Sequence, residues 1–249
     1  MKRAVIFSVV SLSLALTGCV LEDIANEVVS TGTGTGTNET AAPALTNDEV
    51  IRGLKEALTI GIKKGAEMAS VTDGFFKNDI IKIPFPAEAN AIKEKAIEWG
   101  MQAKVDEIIL TLNRAAELAS QKATPIFVDA ITNMSISDGF EILKGSDSAA
   151  TTYLIKTTSA PLYTAFLPVV KEAIATVELT KYWNPVAEKY NKAAKLMNKP
   201  EINPDLDKYV TDRAISGLFY LVKQEEKKIR KDPVAQVTDL LKKVFGSLL

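Results

Sequence analysis

Histidine is absent from this 249-residue chain, and cysteine occurs once, at Cys19. Without imidazole, and with a single thiol, one chain forms no internal disulfide and no zinc site built on His and Cys. Ser-His-Asp and Cys-His nucleophiles are excluded, as is the Glu-x-x-His motif of di-iron bundles. Any catalysis would fall to carboxylates, lysine, tyrosine, serine or threonine, and no metal site or cofactor is expected. An excess of positive charge is missing too. The 30 Lys and Arg face 31 Asp and Glu, for a formal net charge of −1. Nothing in that balance draws in a phosphate backbone, so nucleic acid is not an expected partner. The apolar run from Ala4 to Leu16 falls short of the roughly 20 residues a membrane-spanning helix needs.

That run sits in an informative order. Lys2-Arg3 precedes it and Leu16-Thr17-Gly18-Cys19 follows it. Basic, apolar and small residues in succession mark a cleavable export signal. With Leu three residues before the cysteine and Gly directly before it, the stretch resembles the lipobox of bacterial lipoproteins, in which cleavage leaves a lipidated N-terminal Cys. The resemblance implies a signal peptide over residues 1–18, lipidation at Cys19, and attachment to a cell-envelope membrane. The outer membrane is expected, with the body facing the periplasm or the surface. One acyl chain gains only about 0.8 kcal/mol per buried methylene, so durable anchoring implies a di- or triacylated cysteine.

Residues 19–46 read as a tether. Ser30-Thr31-Gly32-Thr33-Gly34-Thr35-Gly36-Thr37 has no apolar face to bury and cannot recover the entropy cost of ordering. Glycine at every second position argues against a threonine-rich strand. Residues 47–249 remain, about 200 residues and enough for one large core. Their expected class is all-α, a single multi-helix bundle with one short, extended, proline-containing segment.

Apolar residues recur at helical spacing through most of this region. Asn47 is positioned to cap the first helix, whose stripe is Val50, Ile51, Leu54, Leu58 and Ile62. Beside it Gly53, Ala57, Gly61 and Gly65 repeat every four residues. Each interior glycine costs about 1 kcal/mol relative to alanine, so three on one face imply that another helix or a ligand approaches closely. Phe75 to Pro86 is the strand-like segment, either a belt over the core or an exposed docking edge. Ala89, Ile92, Ala96 and Trp99 share the next face. Ser135-Ile136-Ser137-Asp138 has capping-box form. Pro161 and Pro168 are expected to break the stretch after Asp147. Asn184-Pro185, Asn203-Pro204 and Asp232-Pro233 are expected to open the last three helices.

Among polar groups, Asn113, Arg114 and Glu117 fall on adjacent turns between apolar neighbours. Such a cluster either bridges helices or holds a polar or anionic ligand. Thr151, Thr152, Thr157, Thr158 and Ser159 form a hydroxyl-rich patch. Glu225 to Arg230 reads as a solvated face with Glu226 and Arg230 paired at i,i+4. Asn203-Pro204-Asp205-Leu206-Asp207 begins like a calcium loop, but Lys208 stands where glycine is required. Trp183 beside Tyr182, with Tyr190, reads as an aromatic cluster at the core edge.

Several elements follow one another in a recognisable order. They are Gly53-Leu54-Lys55-Glu56-Ala57-Leu58, Lys82-Ile83-Pro84-Phe85-Pro86, Asn113-Arg114-Ala115-Ala116-Glu117, Ile142-Leu143-Lys144-Gly145 and Leu167-Pro168-Val169-Val170. A tail runs from Glu225-Glu226 through Ile229-Arg230-Lys231-Asp232-Pro233 to Lys243-Val244-Phe245-Gly246. From Asn47 onward this order resembles the bacterial domain-of-unknown-function family 4197. The resemblance implies an exported helical protein and assigns no activity. The expected function is a membrane-anchored binding or scaffolding module for a small apolar ligand or a protein partner. Its expected pocket lies near the Gly53–Gly65 stripe and the Asn113–Glu117 cluster. An alternative is a carboxylate-based enzyme cleaving cell-wall glycan, with Glu117 as its acid. Another is a purely structural envelope protein.

Overall fold

The computed structural model of the chain describes residues 46–175, 179–199, 201 and 205–231. The export signal, Cys19, the tether, Asn203-Pro204 and the last helix expected after Asp232 lie outside these residues. Within them are eight α-helices, one 3₁₀ turn (Ala87–Ala89) and no strand. The helices are α1 (Asn47–Ser70), α2 (Asn90–Glu98), α3 (Gln102–Ser120), α4 (Ala123–Thr132), α5 (Ile136–Lys144), α6 (Ala149–Ala175), α7 (Leu179–Leu196) and α8 (Leu206–Lys231). The protein is all-α, as its apolar spacing implies.

Local chemistry accounts for several boundaries. The cap of α1 is Thr46, one residue before the expected Asn47. Its hydroxyl accepts from the Glu49 N–H at 3.3 Å, and the Glu49 carboxylate accepts from the Thr46 N–H at 2.9 Å. This reciprocal arrangement outcompetes a lone Asn cap because it satisfies two backbone donors at once. The expected box at Ser135 and Asp138 forms in the same way at the start of α5. Asp205 accepts from the Lys208 N–H at 2.9 Å, so this acidic run serves as a helix cap.

Proline behaves differently from the local expectation. α6 runs unbroken through Pro161 and Pro168, and α7 begins six residues before Pro185. All three prolines are exposed. A carbonyl that loses its helical donor on the exposed side can be hydrated, so the helix continues without ending there. α8 likewise continues through the charged stretch at Glu225–Arg230.

The central group is α1, α3, α6 and α8, with α8 packed against the other three and α4 closing on α1 and α6. Leu54, Ile62, Leu112, Phe127, Leu154, Leu162 and Phe166 are fully buried among them. Phe127 meets Phe219 edge-on at 5.6 Å. The small-residue stripe is where α8 crosses α1. A Cβ added at Gly65 would lie 3.2 Å from the Val222 backbone nitrogen and 3.3 Å from its Cα. α2 departs from expectation: it has no buried residue, and Trp99, just past its end, is 74% exposed. It packs on the 3₁₀ turn and on α3.

Candidate functional site

Residues 71–86 cross the bundle without regular structure, as a strap. Val71 ends α1, and Asp73 then takes a positive φ of 70° to reverse the chain. At Gly74 a Cβ would sit 2.4 Å from the Met68 carbonyl oxygen, so the turn has no room for a side chain. Phe75, Ile81, Ile83 and Phe85 point inward and are buried. Gly217 of α8 makes room for them; a Cβ there would lie 2.7 Å from the Phe75 ring. The strap is thus a belt over the core, and its path follows from the two prolines and the Asx turn at Asn78, whose Oδ1 accepts from the Ile80 N–H at 3.1 Å.

A strap has no ladder to satisfy its buried backbone groups. Asn113 and Glu117 supply the partners. Asn113 Oδ1 accepts from the Ile83 N–H at 2.8 Å, while its Nδ2 donates to the Ile83 carbonyl at 2.8 Å and to the Ile109 carbonyl at 2.7 Å. Glu117 Oε1 accepts from the N–H groups of Phe75 and Phe76, each at 3.1 Å. Its Oε2 accepts from Arg114 at 2.6 Å. Arg114 also donates to Asp73 at 2.6 Å, and Lys77 pairs with the other Asp73 oxygen at 2.8 Å. Hydrogen bonds from Lys77 first, then Arg114, hold the Asp73 carboxyl below its usual range. Glu117 first, then Asp73, raise the Arg114 guanidinium.

The three expected residues therefore come together, and they bind the protein's own backbone. Both Glu117 oxygens are engaged by the strap and Arg114. Asp73 is a member of the cluster that helical spacing does not reveal; its one sequence signal is the turn Thr72-Asp73-Gly74.

A second buried cluster corrects the reading of Glu225–Arg230 as solvated. Glu225 and Glu226 are buried. The first N–H groups of α6 have no helical partner and carry the positive end of its dipole. Glu226 meets them, accepting from the Ala150 N–H at 3.0 Å, the Thr151 N–H at 2.8 Å and the Thr151 hydroxyl at 2.7 Å. The i,i+4 pair is present, with Arg230 Nε donating to Glu226 at 3.1 Å. Arg230 also donates to the Ile142 carbonyl at 2.8 Å, which joins α5 to α8. Glu225 pairs with Lys64 of α1 at 3.2 Å.

The other sequence features are structural in their surroundings. Outside Thr151, the hydroxyls of Thr152, Thr157, Thr158 and Ser159 donate to carbonyls one turn back in α6. Trp183 is buried edge-on against Phe85 at 5.7 Å. Gly53, Ala57, Gly61 and Gly65 are all buried. At Ala57 and Gly61 they border a cavity of ≈ 20 Å³, about room for one water. α8 occupies the groove where a ligand would have to lie. Among the described residues no group of acidic side chains is arranged to hold a metal ion.

The larger concavity is on the strap's outer side, a groove of ≈ 680 Å³ between the strap, α2, the start of α3 and α8. Phe76 and Ile80 give it an apolar floor with buried Phe85 beneath, and Lys82, Lys93 and Arg213 stand around it together with Asp79 and Asp106. The Lys82 ammonium lies 4.4 Å from the Phe76 ring centroid. Ile80 is 66% exposed. Beneath the groove, Asn113 and Glu117 hydrogen-bond the strap backbone at Ile83, Phe75 and Phe76.

No curated protein and no solved structure matches the chain significantly. A family model does match, described as a protein of unknown function (DUF4197), over residues 44–246. That span takes in the strap, its Asn113–Glu117 clamp and the Glu226–Arg230 cluster, and the chain belongs to this family.

Proposed function

We propose that the protein is a cell-envelope lipoprotein, held to a membrane by acylated Cys19, whose helical body is a binding or scaffolding module. In this reading residues 1–18 are removed on export, residues 19–46 are the tether, and residues 47–249 are the module, facing the periplasm or surface from the outer membrane. The anchor is supported by the order of Lys2-Arg3, the apolar run and Leu16-Thr17-Gly18-Cys19. No described helix is long and apolar enough to cross a membrane.

The observation that carries the binding role is the strap groove. Exposed Ile80 and partly exposed Phe76 form an apolar floor open to solvent, with buried Phe85 beneath them, while the backbone below is bound by Asn113 and Glu117. Preorganised apolar surface with a few polar groups at its margin favours association, because little conformational entropy is lost on contact. Three cations and two carboxylates, Asp79 and Asp106, line the groove, which favours a partner with an apolar segment flanked by polar side chains of both signs.

Two measurements test the parts separately. Metabolic labelling with a fatty-acid analogue should mark the protein, and Cys19→Ala should abolish the label and release the protein from membranes washed with high salt. A photo-crosslinking residue at Ile80 should capture a partner in intact cells, and one at exposed Lys122 should not. Equal capture at both sites, or none at Ile80, removes the groove from the proposal and leaves the anchor standing.

A further inference from the structure

The outward side of α7 is basic and apolar in a chain whose net charge is −1. Trp183, Ala187 and Ala194 fix its inner face, since all three are buried. Lys189, Lys192 and Leu196, spaced by three and four, lie on the opposite face and are exposed. Leu196 is 91% exposed and Met197, beside it at the helix end, 63%. Single exposed apolar residues are ordinary. Here two of them crown a helix end, with Lys192 one turn and Lys189 two turns behind. Glu188, exposed one turn before Lys192, is the carboxylate beside them on α7, and Glu201 pairs with Lys195 at 3.5 Å, so lysines outnumber carboxylates on this face.

We infer that this face of α7 rests on an anionic phospholipid surface, with Leu196 and Met197 entering the acyl boundary and the Lys189 and Lys192 ammonium groups at phosphate level. Charge complementarity selects this occupant: the lysines match lipid phosphate, and their long stems allow the charged ends to stay in the headgroup layer while the apolar tip is buried. The edge-on contact of Trp183 with Phe85 turns the inner face of α7 toward the strap and leaves the Lys189, Lys192 and Leu196 face outward. The contact is separate from acylation of Cys19 and does not depend on the groove.

The test uses the full chain with Cys19→Ser and Leu196→Cys, labelled at the new thiol with an environment-sensitive dye. The dye reports position 196 alone, and no acyl chain contributes. Vesicles of phosphatidylcholine containing one third phosphatidylglycerol should shift its emission to the blue, and phosphatidylcholine alone should do so far less. Lys189→Gln and Lys192→Gln should each weaken the apparent affinity about 5-fold, and high salt should reverse the shift. All three positions are exposed, and circular dichroism checks that the variants keep their helix. An equal shift on both vesicles, no shift on either, or indifference to both lysine substitutions overturns the inference. None of these outcomes bears on lipidation of Cys19.

Discussion

Asn113→Ala isolates the strap from the helices that carry it. The substituted side chain is fully buried, and so is Ile83, whose N–H and carbonyl it pairs at 2.8 Å each. Truncation leaves two backbone groups without partners, each costing about 1–3 kcal/mol where water cannot reach. The Ile109 carbonyl loses a lesser share, because α3 already supplies it with a donor. The expected loss is about 4 kcal/mol, a large part of the ~5–15 kcal/mol that stabilises a domain. In urea the midpoint should fall by roughly 1–2 M with little change in slope, for a slope of about 2–3 kcal/mol/M. Hydrogen exchange adds a local readout, since protection should drop first at the amides of Phe75, Phe76 and Ile83. Ser216→Ala, at an exposed position of α8, is the control and should change stability by less than about 0.5 kcal/mol. A loss under about 1 kcal/mol with strap protection intact would refute the reasoning. The inward side chains alone would then hold the strap, and the clamp would be incidental.

The Glu226–Arg230 pair should couple in a double-mutant cycle. Glu226→Ala alone is expected to cost about 3–5 kcal/mol, because it leaves Arg230 and the α6 N-terminus uncompensated in a buried place. Adding Arg230→Met should cost less than the sum by at least ~1 kcal/mol, and additive losses would count against the pair. Asp73→Asn should lower the melting temperature at pH 7. Because the folded carboxyl is held below its usual pKa, its contribution is present above the ordinary value near 4. It is lost as pH falls through the depressed value, so melts of the two proteins should converge toward pH 2. A gap that is constant with pH would point to lost packing instead. Gly65→Ala should destabilise by about 1 kcal/mol even though alanine favours helix, since its Cβ would press on the Val222 N and Cα at 3.2 and 3.3 Å, and helix backbone yields less readily than a side chain. A raised melting temperature would show that α8 can shift.

Residues 47–70 and 135–144 illustrate what local chemistry decides. Ile51, Leu54, Leu58 and Ile62 fall on one side of any 3.6-residue helix, whatever covers them, and the Ser135–Asp138 box closes within four residues. The candidate polar cluster was legible to the same degree: spacing alone puts Asn113, Arg114 and Glu117 on neighbouring turns. What they hold was not legible, because Phe75 and Ile83 are reached only when the chain returns over α3. Glu226 makes the point more sharply. From neighbours in sequence it is one more charge in a solvated turn, yet the N-terminus of α6, 75 residues earlier, buries it. Proline in isolation disfavours a helix interior, and here α6 continues because Pro161 and Pro168 face solvent while Leu154, Leu162, Phe166 and Val170 are buried along its inner face. The sequence by itself determined the all-α class, the faces of most helices and the residues available for chemistry, since these depend on periodicity and residue type. Tertiary structure alone decided which carboxylates are buried, what the clamp grips and where a groove stays open, because a buried polar group is settled by the partner that meets it, and that partner lies far away along the chain.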